Sequence, residues 1–312
     1  MAKIIGPGSL NVDVTGYAPH LPVAGETTLG TTVRFSPGGK GNNQMTAVHR
    51  AGGTAKIIGA RGNDFLGKIL QSHYDREGMS QDLISLCSTE TGSAIIEIDE
   101  SSAQNRIIVI PGANALVDAT MVANAEAEFA DSVAVLTQFE TTVSAVLECK
   151  RLAQKYGKPF ILNTAPFIKV DQSIFDGVDY VTPNETEAEF FTGIPVNSAE
   201  DCRRAAQRFL ELGVKNVIIT LGVRGVYFYD GKTELTVPAI LKKAVETTGA
   251  GDAFNGGFAT AIAEGADILT ALRFATCTSA ISVTRLGSAE SMPERKEILA
   301  LFKEQFGSEY PY

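Results

Sequence analysis

The chain has 312 residues, 44% hydrophobic and 20% charged, an ordinary globular balance that excludes a disordered, collagen-like or coiled-coil polypeptide. Its 27 Lys and Arg against 36 Asp and Glu give a net charge of −9, so nucleic acid and anionic membrane are not expected partners. No apolar run approaches the roughly 20 residues needed to cross a bilayer.

Ile4-Ile5-Gly6-Pro7-Gly8 follows the start directly and reads as a first strand. It leaves no room for a signal-peptide core, and a cytoplasmic protein is expected. Gly6-Pro-Gly8-Ser-Leu-Asn11 begins like a dinucleotide fingerprint, but Asn11 stands where the third glycine belongs. Thr27–Phe35 looks extended. The glycine turn Ser36-Pro-Gly38-Gly39-Lys40-Gly41-Asn42-Asn43-Gln44 then opens a helix over Asn42–Arg50. Its dense amide and ammonium donors suit an uncharged polyol. Lys56–Gly59 is strand-like, and Asp64–Glu77 is helical with Asp64 as N-cap. Between them, Gly62-Asn-Asp-Phe-Leu-Gly67-Lys68-Ile69 falls one residue short of a P-loop, and Ile69 stands where a Ser or Thr must meet magnesium. A loop entering a helix is the better reading. Ser93–Ile110 adds extended segments with no helix between them. With Thr27–Phe35 they suggest a small antiparallel sheet, whose half-apolar faces need a sugar, a second subunit or both as cover.

From Ser132 onward, strands and helices alternate. Ser132–Leu136 is a strand, Thr141–Tyr156 a helix, Phe160–Leu162 and Asp179–Val181 strands, and Glu185–Thr192 a helix. A capping box at Ser198-Ala-Glu-Asp201 opens another helix, and Asn216–Thr220 is again a strand. This alternation predicts an α/β fold: a doubly wound, mainly parallel sheet flanked by helices, with ligands outside the carboxyl ends of its strands. No linker or repeat divides the chain. One domain over 1–312 is expected, with the small β lid inserted from about 12–36 and 91–112. Asn11, Asp13 and Glu140 fall at predicted strand ends, where they can converge. Turn chemistry for the first two, and a solvated position for Glu140, remain alternatives. Gly231-Lys232-Thr233 is no P-loop, because Val226 is not glycine.

Glu246-Thr-Thr248-Gly249-Ala250-Gly251-Asp252 runs into a helical pattern over Ala253–Glu264. Gly249, Ala250 and Gly251 are expected to present consecutive amides at a helix N-terminus, an anion hole backed by the helix dipole. Asp252 then either caps the helix or accepts a hydroxyl proton beside a transferring phosphoryl group. The four cysteines lie far apart, and His20, His49 and His73 form no HExxH, so reduced thiols and no zinc chemistry are expected.

Taken in order, Gly8-Ser-Leu-Asn11-Val-Asp13, Gly38-Gly39-Lys40-Gly41-Asn42-Asn43-Gln44, Pro183-Asn184-Glu185-Thr186-Glu187, Thr220-Leu-Gly222-Val-Arg-Gly225 and Thr247-Thr248-Gly249-Ala250-Gly251-Asp252-Ala253-Phe254 resemble the ribokinase-like family of carbohydrate kinases. The resemblance runs from Gly8 through Pro293. It implies an ATP-dependent phosphotransferase acting on the primary 5-hydroxyl of D-ribose, with Asp252 as base and Gly249, Ala250 and Gly251 as anion hole. It implies sugar contacts from Asn11, Asp13, Gly39, Lys40, Gly41, Asn43 and Glu140. Asn184, Thr220, Gly222, Gly225 and Gly251 would line the ATP site, with Thr276 near the base, and Glu187 would organise Mg²⁺ through water. Asn11-Val-Asp13 and Gly112-Ala113-Asn114 are most similar to the ribose-specific members. Kinases of deoxyribose, fructose and nucleosides share the second glycine signature, and a non-catalytic sensor on the same fold is a further alternative. The family also implies a K⁺ site from Glu246, Thr248, Ser282, Arg285, Gly287 and Ser291, although Glu246 stands where Asp is usual. Arg61 likewise replaces an apolar residue. The small sheet would be a lid that closes over the sugar and pairs two subunits into a homodimer.

Overall fold

The computed structural model describes residues 2–102 and 104–312. Ala103, inside the expected Ser93–Ile110 segment, lies outside them. The main sheet takes β1 (Lys3–Pro7), β4 (Thr54–Gly62), β5 (Ile84–Cys87), β8 (Ala134–Gln138), β9 (Phe160–Asn163), β10 (Tyr180–Val181), β11 (Asn216–Thr220), β12 (Val226–Tyr229) and β13 (Glu234–Val237). Their spatial order is β13-β12-β11-β10-β9-β8-β1-β4-β5. All pairings from β11 to β5 are parallel, and only β12 runs against its neighbours. The chain moves outward from β1 to one edge, then returns past it, and that reversal opens the crevice where doubly wound sheets bind ligands.

Side-chain alternation along each strand splits the interior into two cores. Ile4, Ile57, Leu136, Ile161 and Ile218 point into one, with α1 (Lys40–Arg50), α2 (Phe65–Glu77), α8 (Ala250–Ala263), α9 (Ile268–Ser282) and α10 (Arg295–Phe306) packed over it. Their neighbours Ile5, Ile58, Val135, Leu162 and Val217 point into the other. That face is covered by α3 (Ala119–Asn124), α4 (Glu126–Ala130), α5 (Val143–Lys155), α6 (Glu185–Thr192) and α7 (Ala199–Glu211). Among the described residues no helix is long and apolar enough to cross a membrane.

The second sheet has β2 (Asn11–Ala18), β3 (Thr32–Gly38), β6 (Gly92–Asp99) and β7 (Asn105–Ile110) in the order β3-β2-β6-β7. The expected small antiparallel sheet is present as two antiparallel pairs, β2–β3 and β6–β7, joined along a parallel β2–β6 pairing. Two boundaries differ from the sequence reading. Residues 27–31 precede the strand, because pairing with β2 begins only at Tyr17 against Thr32. Asn11 and Asp13 do not end a strand; they open β2, so the lid grows directly out of the chain leaving β1.

Candidate active site

Helix α1 starts on a close approach. The amides of Asn42 and Gly41 donate to Ser9 O at 2.9 Å and Ser9 Oγ at 3.2 Å. A Cβ on Gly41 would lie 2.4 Å from Gly8 Cα and Ser9 N, so only glycine lets the turn of residues 38–41 press onto the end of β1. Ser9 Oγ donates to Glu140 Oε2 at 2.5 Å, and the Lys40 amide donates to the same oxygen at 2.9 Å. Glu140 is therefore tied to the glycine turn. Asn11 Oδ1 accepts from Asn114 Nδ2 at 2.7 Å, while Asn114 Oδ1 accepts from the Leu10 amide at 2.8 Å.

Asp252 lies buried in the first turn of α8. Asn43 Nδ2 donates to its Oδ2 at 2.9 Å, and Gln44 Nε2 donates to its Oδ1 at 3.0 Å. Both glycine signatures thus meet at one carboxylate. Gly249, at φ 81°, makes the left-handed turn that starts the helix. Of the three expected anion-hole amides, that of Ala250 donates to Thr247 O at 3.2 Å. The Gly251 amide has no acceptor among the described residues, and the N-cap side chain offers none.

Burial and neighbouring charges compete across the site. Desolvation pulls the Lys40 ammonium down, but the carboxylates of Asp252, Glu140, Glu187 and Asp13 more than reverse it and hold the group above the usual lysine value. Burial pushes Asp13 up to about 6, against a hydrogen bond from Ser288 Oγ at 3.2 Å and with help from Glu140, Glu246 and Asp252. Burial also raises Glu187, opposed by the Asn184 amide, Lys40 and Thr164.

A cleft of about 470 Å³ runs from Lys40 and Asp252 along the carboxyl ends of β9 to β11. Asn184, Glu187, Thr220, Gly222, Gly225, Gly249, Ala250, Gly251 and Thr276 all line it, so the expected nucleotide residues share one wall system. Asn184 and Glu187 form a capping box on α6: Asn184 Oδ1 accepts from the Glu187 amide at 2.9 Å, and Glu187 Oε2 accepts from the Asn184 amide at 3.1 Å. Thr164 Oγ1 donates to Glu187 at 3.1 Å. Among the described residues this buried carboxylate has no cationic hydrogen-bond partner, and its hard oxygens fit a hydrated divalent ion.

A second, much smaller cavity lies under the lid, bounded by Asp13, Arg34, Glu246, Thr248, Gly287 and Ser288 among others. Glu246 Oε2 accepts from the Gly287 amide at 2.9 Å. Ser282, Arg285 and Ser291 do not line this cavity. Ser282 Oγ donates to Ser279 O, Ser291 Oγ to Ser288 O, and the Arg285 guanidinium to Glu297. Arg61, the other departure, sits on β4 and donates to Gln71 Oε1 at 3.3 Å, away from the cleft.

Sequence reasoning missed the polar floor of the cleft: Asn163, Thr182 and Asn255, which together with Gln44 connect to Asp252. The available signal was a single polar residue ending each apolar strand, Asn163 after Phe160-Ile-Leu and Thr182 after Tyr180-Val. It also missed the apolar side of the cleft, where Val223, Ile240, Leu241 and Val283 contribute.

Comparison with known protein families matches residues 1–295 to the pfkB family carbohydrate kinases. The chain is 37% identical over 293 residues to the ribokinase of Haemophilus influenzae, covering 94% of this chain and 95% of that one. It is 31% identical over 288 residues to a deoxyribokinase of Salmonella typhi, covering 92% of this chain and 94% of that one. The structure of Arabidopsis thaliana ribokinase complexed with ribose and ATP superposes with a TM-score of 0.92 at 32% identity, covering 97% of this chain and 99% of that chain.

Proposed function

This chain belongs to the pfkB family of carbohydrate kinases, an ATP-dependent phosphotransferase acting on an alcohol, and on that premise we propose that it converts D-ribose and ATP to D-ribose 5-phosphate and ADP. The observation that carries this reading is the contact between Asn43 and Asp252, which joins the polyol-binding turn to the mouth of α8. In this reading the sugar lies between β2 and α1, held by Asn11, Asp13, Asn43, Glu140 and the amides around Gly39, Lys40 and Gly41. Its 5-hydroxyl points at Asp252, which takes the proton as the oxygen attacks phosphorus in line. ATP lies in the cleft with its terminal phosphate toward Gly249, Ala250 and Gly251. There, amide donors and the helix dipole stabilise charge on the transferring group. The Lys40 ammonium, kept charged by its carboxylate neighbours, adds to that stabilisation. Phosphoryl transfer is loose, so position and charge matter more than a strong base.

Glu187 would hold Mg²⁺ through water, and the ion bound with ATP supplies further charge neutralisation. Glu246, Thr248 and Gly287, with carbonyls of Ser282, Arg285 and Ser291, would hold K⁺ behind the anion hole. The whole of 1–312 serves the reaction as one domain, with the small sheet as its cover and as the contact between two copies. The same chemistry on deoxyribose is a second reading, favoured by the relative named for that sugar.

The test is ADP release measured with ribose, deoxyribose, fructose and nucleosides, in K⁺ and in Na⁺. The expected result is the highest kcat/KM on ribose, with a higher rate in K⁺. Asp252→Ala is expected to lose about 10³-fold in kcat, within the range for a general base, while retaining ATP binding. A higher kcat/KM on another acceptor replaces ribose, equal rates in Na⁺ remove potassium, and an undiminished Asp252→Ala rate removes the base.

A further inference from the structure

Four buried polar side chains with no part in the reaction as described so far meet beneath the mouth of α8. Gln44 comes from α1, Asn163 from the end of β9, Thr182 from the residue after β10, and Asn255 from α8. A buried amide or hydroxyl without partners costs about 1–3 kcal/mol, so such a cluster persists only when its bonds are made.

Here the bonds run in one direction only, and of the cluster's oxygens Gln44 Oε1 alone has no partner among the described residues. Gln44 Nε2 donates one proton to Asp252 Oδ1 and the other to Asn163 Oδ1, both at 3.0 Å. Asn163 Nδ2 donates to Thr182 O at 3.0 Å and to Thr182 Oγ1 at 3.3 Å. Since the Thr182 hydroxyl accepts there, its own proton goes to Asn255 Oδ1 at 2.6 Å. Asn255 Nδ2 is then left to donate to Gly251 O at 2.8 Å. The path leaves the Asp252 carboxylate, crosses two strand ends and returns to the carbonyl of the residue before it. Turning either the Gln44 or the Asn163 amide would set oxygen against oxygen, so the polarity of the ring is forced.

We propose that this ring is a positioning device for the phosphoryl transfer: Gln44, Asn163, Thr182 and Asn255 fix the Asp252 carboxylate and the first turn of α8 against the ends of β9 and β10. It rests on the reading of Asp252 as the base. Thr182 makes no bond to Asp252, yet its hydroxyl is the link that determines which way the Asn255 amide faces. Once that link is gone, Asn255 and the first turn of α8 lose their tie to the sheet, while Gln44 and Asn163 hold the carboxylate alone, so turn and carboxylate are no longer set by one frame.

The test is a set of variants at the far side of the ring. Thr182→Val removes the hydroxyl and leaves Asn255 Oδ1 without a donor. It is expected to lower kcat by about tenfold or more, the order expected when a reacting group is displaced by a fraction of an ångström, with KM for ATP and sugar within about twofold of wild type. Thr182→Ser keeps the hydroxyl and restores the rate. Gln44→Ala opens the ring beside the base, and the double variant is expected to lose no more than the slower single, because both cut one ring. Should Thr182→Val not fold, Asn255→Asp replaces the donor to Gly251 O with an oxygen and predicts the same loss of kcat. The proposal is overturned if a folded ring variant keeps its rate, if Thr182→Ser is as slow as Thr182→Val, or if the losses multiply in the double variant. Rates are referred to wild type on whichever acceptor ranks first, so a change of sugar leaves the test standing. A wild type silent on every acceptor would retire the kinase reading and the ring together.

Discussion

Asp13 faces Glu140, Glu246 and Asp252 in a site with one nearby ammonium, and burial, with those carboxylates beside it, lifts it to about 6. As pH falls through that value the carboxylate takes up a proton and stops being a pure acceptor for sugar hydroxyls. The expected outcome is an acid limb near pH 6 in kcat/KM for the sugar, a quantity that reports the free enzyme. Asp13→Asn should give a lower and flatter profile; an unchanged limb in that variant would assign it to another group. For stability the sign is the reverse. A carboxyl raised above its unfolded value contributes fully below pH 3.8, and that contribution is lost as pH rises through 6. At this scale the chemistry of the site was legible before its contacts were. Lys40 and Asp252 are recognisable by type and by their glycine neighbours, and Glu140 by its place after a predicted strand. That Asn43 reaches Asp252, 209 residues away, depends on the order of strands between them, which no local pattern encodes. The role of Gln44 was hidden for the same reason, although it stands inside the first signature.

Helix α1 is fixed at its far side by α2. Thr46 Oγ1 donates to Asn42 O at 2.8 Å, which commits its only proton. His73 on α2 must therefore donate its Nε2–H to Thr46 Oγ1 at 3.0 Å, leaving Nδ1 unprotonated. Burial pushes this histidine down to about 4. Its folded value lies below the unfolded 6.5, so the unfolded chain binds the proton first. The stability from neutral His73 is complete above pH 6.5 and is lost as pH falls toward 4. Between pH 7.5 and 5 the loss amounts to about 2 kcal/mol in urea unfolding, and His73→Leu should show that much less change over the same interval. An equal pH dependence in the variant would sink this assignment. Elements with terminal signals were readable: Asp64 caps α2 and Ser198 boxes α7 as their sequences indicate. Helix α9 was legible only as an apolar helical stretch around Cys277; Asp267 caps it, but its buried flanks leave no clear polar face to set a period or its bounds. Strands β12 and β13 are four residues each, too short to declare themselves.

On the scale of the molecule, the lid has two unlike faces. The row Val14, Phe35, Ile95 and Ile108 runs across all four strands, and its last three members are exposed. The adjacent row carries Asp13 and Ser36 toward the site. A contiguous exposed apolar row marks an interaction surface, and a second copy is the cover we propose. Ile108→Asp is expected to convert a dimer into a monomer in sedimentation velocity; a wild type that is itself monomeric would refute the pairing. Because Asp13 and Val14 are consecutive on β2, sugar capture and the proposed subunit association would pull on the same few ångströms of backbone. Such an enzyme would respond to its own abundance: diluted until copies part, each molecule would keep its nucleotide cleft intact and yet grip its sugar more loosely.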